Sequence, residues 1–190
     1  MTVRRYARGV RRMLAIGLLA IVGPALAAVP ALAANTSFSI PIPAISLSGG
    51  ATATGFISLS GSVVSGFSIN FVLPADYKSG STVKIVMLMS SNVPPCVADF
   101  KATQMARRRV GLVQTSGLSG LKPRGGPNIS FAGPELTKKV FDLKPGSGFP
   151  GQRRNDGIGI SFSRNPGAAA DTCASAVSVM TIYVLYETKS

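Results

Sequence analysis

An all-β chain, an antiparallel sandwich of about nine strands behind an N-terminal leader, is what three observations predict. Apolar residues recur at every second position in several short runs, most clearly at Phe67, Ile69, Phe71 and Leu73. Clusters drawn from 21 glycines and 13 prolines separate those runs. After residue 34, no stretch offers three clean turns of helical periodicity.

The leader comes first. Five arginines (Arg4, Arg5, Arg8, Arg11, Arg12) precede an uncharged apolar run that starts at Met13 and breaks at Gly23-Pro24. Small-x-small exits follow at Ala25-Leu26-Ala27 and Ala31-Leu32-Ala33. A basic head, a short apolar middle and an Ala-x-Ala exit describe a secretory signal peptide over residues 1–33. Ala33 is its preferred last residue and Ala27 the alternative. The 22 uncharged residues 13–34 nominally suffice to span a bilayer. Pro24 and Pro30 would each remove a helix hydrogen bond, which favours cleavage over a retained anchor. Arg11-Arg12 fits a twin-arginine signal poorly, so ordinary secretion to the periplasm, envelope or medium is expected, with no stable membrane insertion after cleavage.

Cleavage changes the charge. The whole chain carries +13, while residues 34–190 hold 15 Lys and Arg against 7 Asp and Glu, a net of +8. These 157 residues suit a single domain, able to bury roughly 68–70% of its unfolded surface without a metal.

Strands follow in order. Residues 38–42 and 56–60 are short candidates within a stretch, 13–75, that carries no charge at all. After the alternation at 67–73 come Val83, Ile85, Met87 and Met89, then shorter candidates at 97–103, 110–114 and 136–143. Ile158, Ile160 and Phe162 alternate again before a long apolar run at 174–186. Turn clusters lie at 76–81, 91–95, 117–128, 144–156 and 165–171. In the last run the odd positions Val177, Val179, Tyr183 and Leu185 are apolar, but so are Met180, Ile182, Val184 and Tyr186. A strand apolar on both faces needs cover on both, from a loop such as 115–135 or from a neighbouring subunit. The second option makes Ile182, Val184 and Tyr186 candidates for self-association into a homo-oligomer. The charge-free segment before Asp76, lacking charged edge guards, points the same way.

Cys96 and Cys173 are the only cysteines. In an oxidising compartment they predict one internal disulfide, with two buried thiols or an intermolecular bond as alternatives. Closing a 77-residue loop removes about 4.5 kcal/mol of unfolded-state entropy in the simple chain model. No Cys-x-x-Cys spacing exists, so the bond reads as a staple and not a redox centre.

Phe71-Val-Leu-Pro-Ala-Asp-Tyr-Lys-Ser-Gly80 leads directly into a strand. Leu143-Lys-Pro-Gly146, Asp156-Gly-Ile-Gly-Ile-Ser-Phe-Ser-Arg164, Asp171 and a closing strand ending near Tyr186 follow in that order. Over roughly residues 55–187 this order resembles small jelly-roll-like β-sandwich proteins of phage and bacterial genomes. Two departures stand out: Met87 and Met89 replace an expected aromatic, and Gln152-Arg-Arg-Asn155 separates Pro150-Gly151 from Asp156. The resemblance implies a jelly-roll-like sandwich and lends no catalytic residue.

The chemistry is narrow. Without histidine there is no Ser-His-Asp or Cys-His arrangement and no imidazole ligand. A glycoside hydrolase needs two carboxyl groups in a shared cleft. The seven acids are Asp76, Asp99, Glu135, Asp142, Asp156, Asp171 and Glu187, most of them in or beside turns, and Asp76 and Asp156 read as turn formers. Asn155, Asp156 and Asp171 have oxygen chemistry suited to calcium but no recognisable ligand spacing. No catalytic residue, metal ligand or cofactor is therefore assigned. The basic runs are Arg107-Arg108-Arg109, Lys138-Lys139 and Arg153-Arg154. Three adjacent arginines on a strand cannot share a face, so 107–109 reads as a turn or a bulged edge. Arg107, Arg108, Arg109, Arg153 and Arg154 are candidate contacts to a polyanion, since guanidinium grips carboxylate or phosphate two-pronged. Solvated, solubilising charge is the plainer alternative. No aromatic residue interleaves with 107–109, which argues against nucleic acid. Asn35-Thr-Ser and Asn128-Ile-Ser match the glycosylation sequon and matter only in a host that glycosylates exported proteins.

The expectation is an exported, non-catalytic binding module for an acidic envelope glycan or other surface polymer, acting through loops 104–110 and 144–156. A self-assembling surface protein is the alternative, and a carboxylate-pair hydrolase the third reading.

Overall fold

The structure, a computed structural model, describes residues 35–39, 45–109, 112–116, 121–123, 128–143 and 151–189, with Asn35, 112–116 and 121–123 described by backbone alone. The expected leader lies outside the described residues, as do the loop positions 144–150.

Thirteen strands are described: β1 (Asn35–Ser39), β2 (Ser46–Gly49), β3 (Thr52–Ala53), β4 (Ile57–Leu59), β5 (Ser65–Val72), β6 (Val83–Ser91), β7 (Cys96–Arg109), β8 (Leu112–Ser116), β9 (Leu121–Pro123), β10 (Asn128–Phe131), β11 (Thr137–Leu143), β12 (Gly157–Arg164) and β13 (Val177–Glu187). They form two antiparallel sheets of a jelly-roll-like sandwich. The first runs β3-β4-β13-β6-β11-β9, with β1 also on β13; the second runs β10-β7-β12-β5-β2, with β8 also on β7. The four strands beyond the expected nine are β2, β3, β9 and β10. Each is short, and the exposed Ser-Leu-Ser-Gly of β2 has no buried alternation to reveal it. Within 115–135, one of the two covers considered for the last strand, the described residues include β9 beside β11 and β10 beside β7.

Period-two alternation builds the core. Ile158, Ile160 and Phe162 of β12 point inward while Gly157, Gly159, Ser161 and Ser163 face out. Phe67, Ile69 and Phe71 of β5 and Val83, Ile85, Met87 and Met89 of β6 do the same. Phe162 sits at the centre, its ring centroid 4.9 Å from Phe141, 5.4 Å from Phe67 and 5.8 Å from Phe100. Fully burying each such ring contributes roughly 1.5–3 kcal/mol.

Two register irregularities reset which residues face inward. In β13 the pairing with β6 slips between Val179 and Thr181. Val177 and Val179 are inward before the slip and Ile182, Val184 and Tyr186 after it, leaving Met180 exposed. The inward face thus changes from odd to even positions across a bulge, with Tyr183 and Leu185 half-buried on the other face. Ile182, Val184 and Tyr186, expected as a self-association stripe, all belong to the core, at 1%, 0% and 6% exposure. The same device acts in β7, whose pairing with β12 jumps from Gln104 to Ala102. Inward positions change there from Ala98 and Phe100 to Met105 and Arg107.

The Cys96–Cys173 disulfide is formed, with 5.0 Å between the Cα atoms. It pins the segment after β12 to the start of β7, where the Thr172 and Cys173 N–H groups also donate to Val97 O.

Candidate functional site: the arginine-rich end of the second sheet

The N-terminal end of β12 meets the C-terminal end of β7, and the bulge in β7 decides what each arginine faces. Arg107 and Arg109 fall on the inward side, near Asp156; Arg108 falls on the outer face, opposite Gly157. Arg109 grips Asp156 with a fork, Nε donating to Oδ1 at 2.6 Å and Nη2 to Oδ2 at 2.7 Å. Arg107 Nη1 stands 4.0 Å from the same Oδ2 and donates to Gly151 O at 3.4 Å. The Arg153 N–H donates to Oδ2 at 2.9 Å, so the turn at 153–156 closes on its own carboxylate. Asn155 supplies the left-handed backbone that this turn needs, at φ 65°.

Electrostatics follow from burial and these contacts. Burial works to raise the Asp156 carboxyl pKa, but the Arg109 fork, the Arg153 N–H and the two guanidinium charges outweigh it and hold it below the ordinary 3.8. Burial pushes Arg107 down from its ordinary range; Asp156 opposes that shift, while Arg109 and Arg153 add to it. The hydrogen bond to Asp156 raises Arg109.

The turn after β5 closes one side. Leu73 N–H donates to Asp156 O, Asn155 N–H to Leu73 O, and Gly80 N–H to Gln152 O at 3.0 Å. Gly80 does this at φ 84°, a conformation that favours glycine. Between this turn and the arginines lies a pocket of about 360 Å³, lined by Ser79, Gly80, Arg107, Arg109, Gln152 and Arg153 and by Gly151. Gln152 is wholly buried, and neither its amide nitrogen nor its amide oxygen has a hydrogen-bond partner.

On the outer face of the same strands lies a shallow groove of about 440 Å³. Gly157 and Gly159 floor it, with Asn70 and Val72 on one side and Ala106 and Arg108 on the other. A side chain at residue 159 would put its Cβ 2.7 Å from Asn70 Oδ1, so glycine there lets the amide lie across the floor. One row further along, the Ser68 and Ser161 hydroxyls are 2.8 Å apart.

No family model matches this chain, and no curated protein sequence matches it. Among solved structures it is similar to a family two carbohydrate esterase from Cellvibrio japonicus, with a TM-score of 0.38 and 11% identity, over 83% of this chain. The chain spans only 35% of that esterase. It is also similar to TmCBM61 in complex with β-1,4-galactotriose (TM-score 0.33, 13% identity, 80% of this chain and 88% of that one). A native family 35 carbohydrate binding module from Clostridium thermocellum matches at TM-score 0.35 and 11% identity, over 80% of this chain and 98% of that one. Likenesses this distant carry no argument about function.

The expected site residues divide. Arg107, Arg109 and Arg153 come together around Asp156, Arg108 joins them from the outer face, and Arg154 is exposed beside them. The run 107–109 lies inside a strand, with a slip in its pairing to β8 between Arg107 and Arg109. Lys139 does not join: it is buried, donates to Asn128 O at 2.9 Å and sits 5.9 Å from the Phe141 ring centroid. Asp156 and Asp171, considered for calcium, flank opposite ends of β12, about 25 Å of strand at ~3.3 Å per residue, each with its own arginine. Among the described residues, neither pocket is lined by an acidic one. Sequence reasoning missed Gln152, for which nothing in the chain's pattern gives a signal.

Proposed function

We propose that the protein is an exported, non-catalytic binding module for an acidic surface polymer, an envelope glycan being the form that fits the site. The observation that carries the reading is a cluster of arginines at one end of the sheet: Arg107, Arg109 and Arg153 lie about the pocket beside Asp156, and Arg108 lines the groove on the outer face. Guanidinium groups gathered at one end of a sheet favour an anionic ligand, which they can grip two-pronged. The neighbouring groove supports a hydroxyl-rich one, because its glycine floor is open and Asn70, Ser68 and Ser161 offer neutral donors and acceptors.

Retention on immobilised acidic and neutral polysaccharides of equal chain length tests this. The acidic polymer should hold the protein at low salt and release it as salt rises. Arg108→Ser combined with Arg153→Ser should weaken retention about a hundredfold, one charge-assisted hydrogen bond's worth for each arginine. Equal retention on the neutral polymer, or no change in the double variant, would sink the reading.

A further inference from the structure

The acidic-polymer reading leaves open what the pocket behind Arg109 recognises, and Gln152 narrows the answer. Its amide is sealed from water with a donor and an acceptor both unmet. A buried polar group without partners is a cost the native fold carries, and such groups are few. Gln152 is one of the residues bordering a pocket of about 360 Å³, near the small end of ligand sites and sized for one sugar ring. Swinging the amide into that space breaks no hydrogen bond, because it makes none.

Resting on that reading, we infer that this pocket holds one sugar-acid unit, its carboxylate on the guanidinium side at Arg109 and Arg153 and a neighbouring hydroxyl on the Gln152 amide. The pairing of groups decides the class. Arginine offers donors only, so it takes the anion; the amide offers one donor and one acceptor, so its partner must both accept and donate. A hydroxyl does both. A sulfate or a fully ionised phosphate only accepts, and would leave the amide oxygen unmet. A neutral sugar would satisfy the amide and leave the positive charge unbalanced. The lowered position of Asp156 keeps that carboxylate ionised and bound to Arg109, so the ligand meets a cluster of three arginines already partly neutralised.

The test is titration of the full folded protein with glucuronate, galacturonate, galactose and inorganic sulfate, followed by NMR. At least one uronate should saturate and shift the Gln152 side-chain NH2 pair, while sulfate should leave that pair unmoved and galactose should bind too weakly to saturate. Gln152→Leu, of similar size and lacking the amide, should lose uronate affinity about tenfold and melt no lower than the parent. If the variant fails to fold, the side-chain shift in the unaltered protein decides alone. Sulfate and uronate binding equally, with the Gln152 pair still, would overturn the inference. Uronates failing to bind while the acidic polymer is still retained through Arg108 and Arg153 would overturn this inference and leave the module reading standing. Failure of both would remove the two together.

Discussion

The two ends of β12 carry the same pair of residue types and use them oppositely. At its C-terminal end Arg164 is wholly buried and bonded all round. Nε and Nη2 fork onto Asp171 at 2.9 Å each, Nη1 donates to Ser175 O at 2.7 Å and Ser60 O at 3.1 Å, and Nη2 also reaches Cys173 O. Asp171 in turn accepts the N–H groups of Asp99 and Cys173. One cation meets one anion, and the Cys96–Cys173 bond closes the loop over them. At the N-terminal end Asp156 is just as buried, but several arginines crowd it, Arg109 keeps 19% of its side chain exposed, and Gln152 is left unsatisfied. A balanced, sealed ion pair is a structural joint. The other end, beside a pocket, is where the proposed ligand would sit.

Perturbations should separate the two ends, beginning with the sealed one. Replacing both cysteines by alanine should cost up to about 4.5 kcal/mol, the loop-entropy figure for 77 residues; urea unfolding checks it, and a loss below 1 kcal/mol would mean the joint holds without its staple. Arg164→Met should cost about 3–5 kcal/mol, since it strands the Asp171 carboxylate and several carbonyls in the interior. Asp156→Asn should cost less, about 1.5–3 kcal/mol, because Arg109 can turn to water when its partner weakens. Equal losses for these last two in the same urea series would break the comparison. The asparagine variant should also bind the acidic polymer more tightly, having one negative charge fewer.

The smallest effect separates the ends by pH. Asp156 and Asp171 are both held below 3.8 in the folded protein, Asp171 by the Arg164 fork and two N–H groups acting against its burial. A carboxyl lowered on folding contributes stability that is present above the unfolded value and lost as pH falls through the folded one. Melting temperature should therefore hold from pH 7 to about 5 and fall below about 4. Asp171→Asn should flatten that fall from a lower plateau. A loss already complete at pH 5 would implicate other groups.

Much of the architecture was legible in the chain, and the misses have physical causes. Strands with unbroken alternation, β5, β6 and β12, stood out because each has one buried and one wetter face. β2 and β9 did not, because edge pairing through the backbone needs no side-chain pattern. The self-association stripe at Ile182, Val184 and Tyr186 arose from reading β13 as a regular ladder. With the slip at Met180, a charge at Ile182 or Val184 would unfold the subunit, not dissociate it. At the candidate site the arginines were legible as charge, and Asp156 only as a turn former.

Local chemistry therefore determined the all-β class, the strand spacing, the positive charge and the single available disulfide pairing, because period two, turn residues and cysteine number are properties of short stretches. The tertiary structure alone decided where the two bulges fall. A one-residue slip turns every later side chain to the other face. In β7 that slip brings Arg107 and Arg109 inward onto Asp156 and leaves Arg108 outside, and in β13 it turns an apparent second face into core. Contacts between residues far apart in the chain set those slips, so no local pattern could announce them.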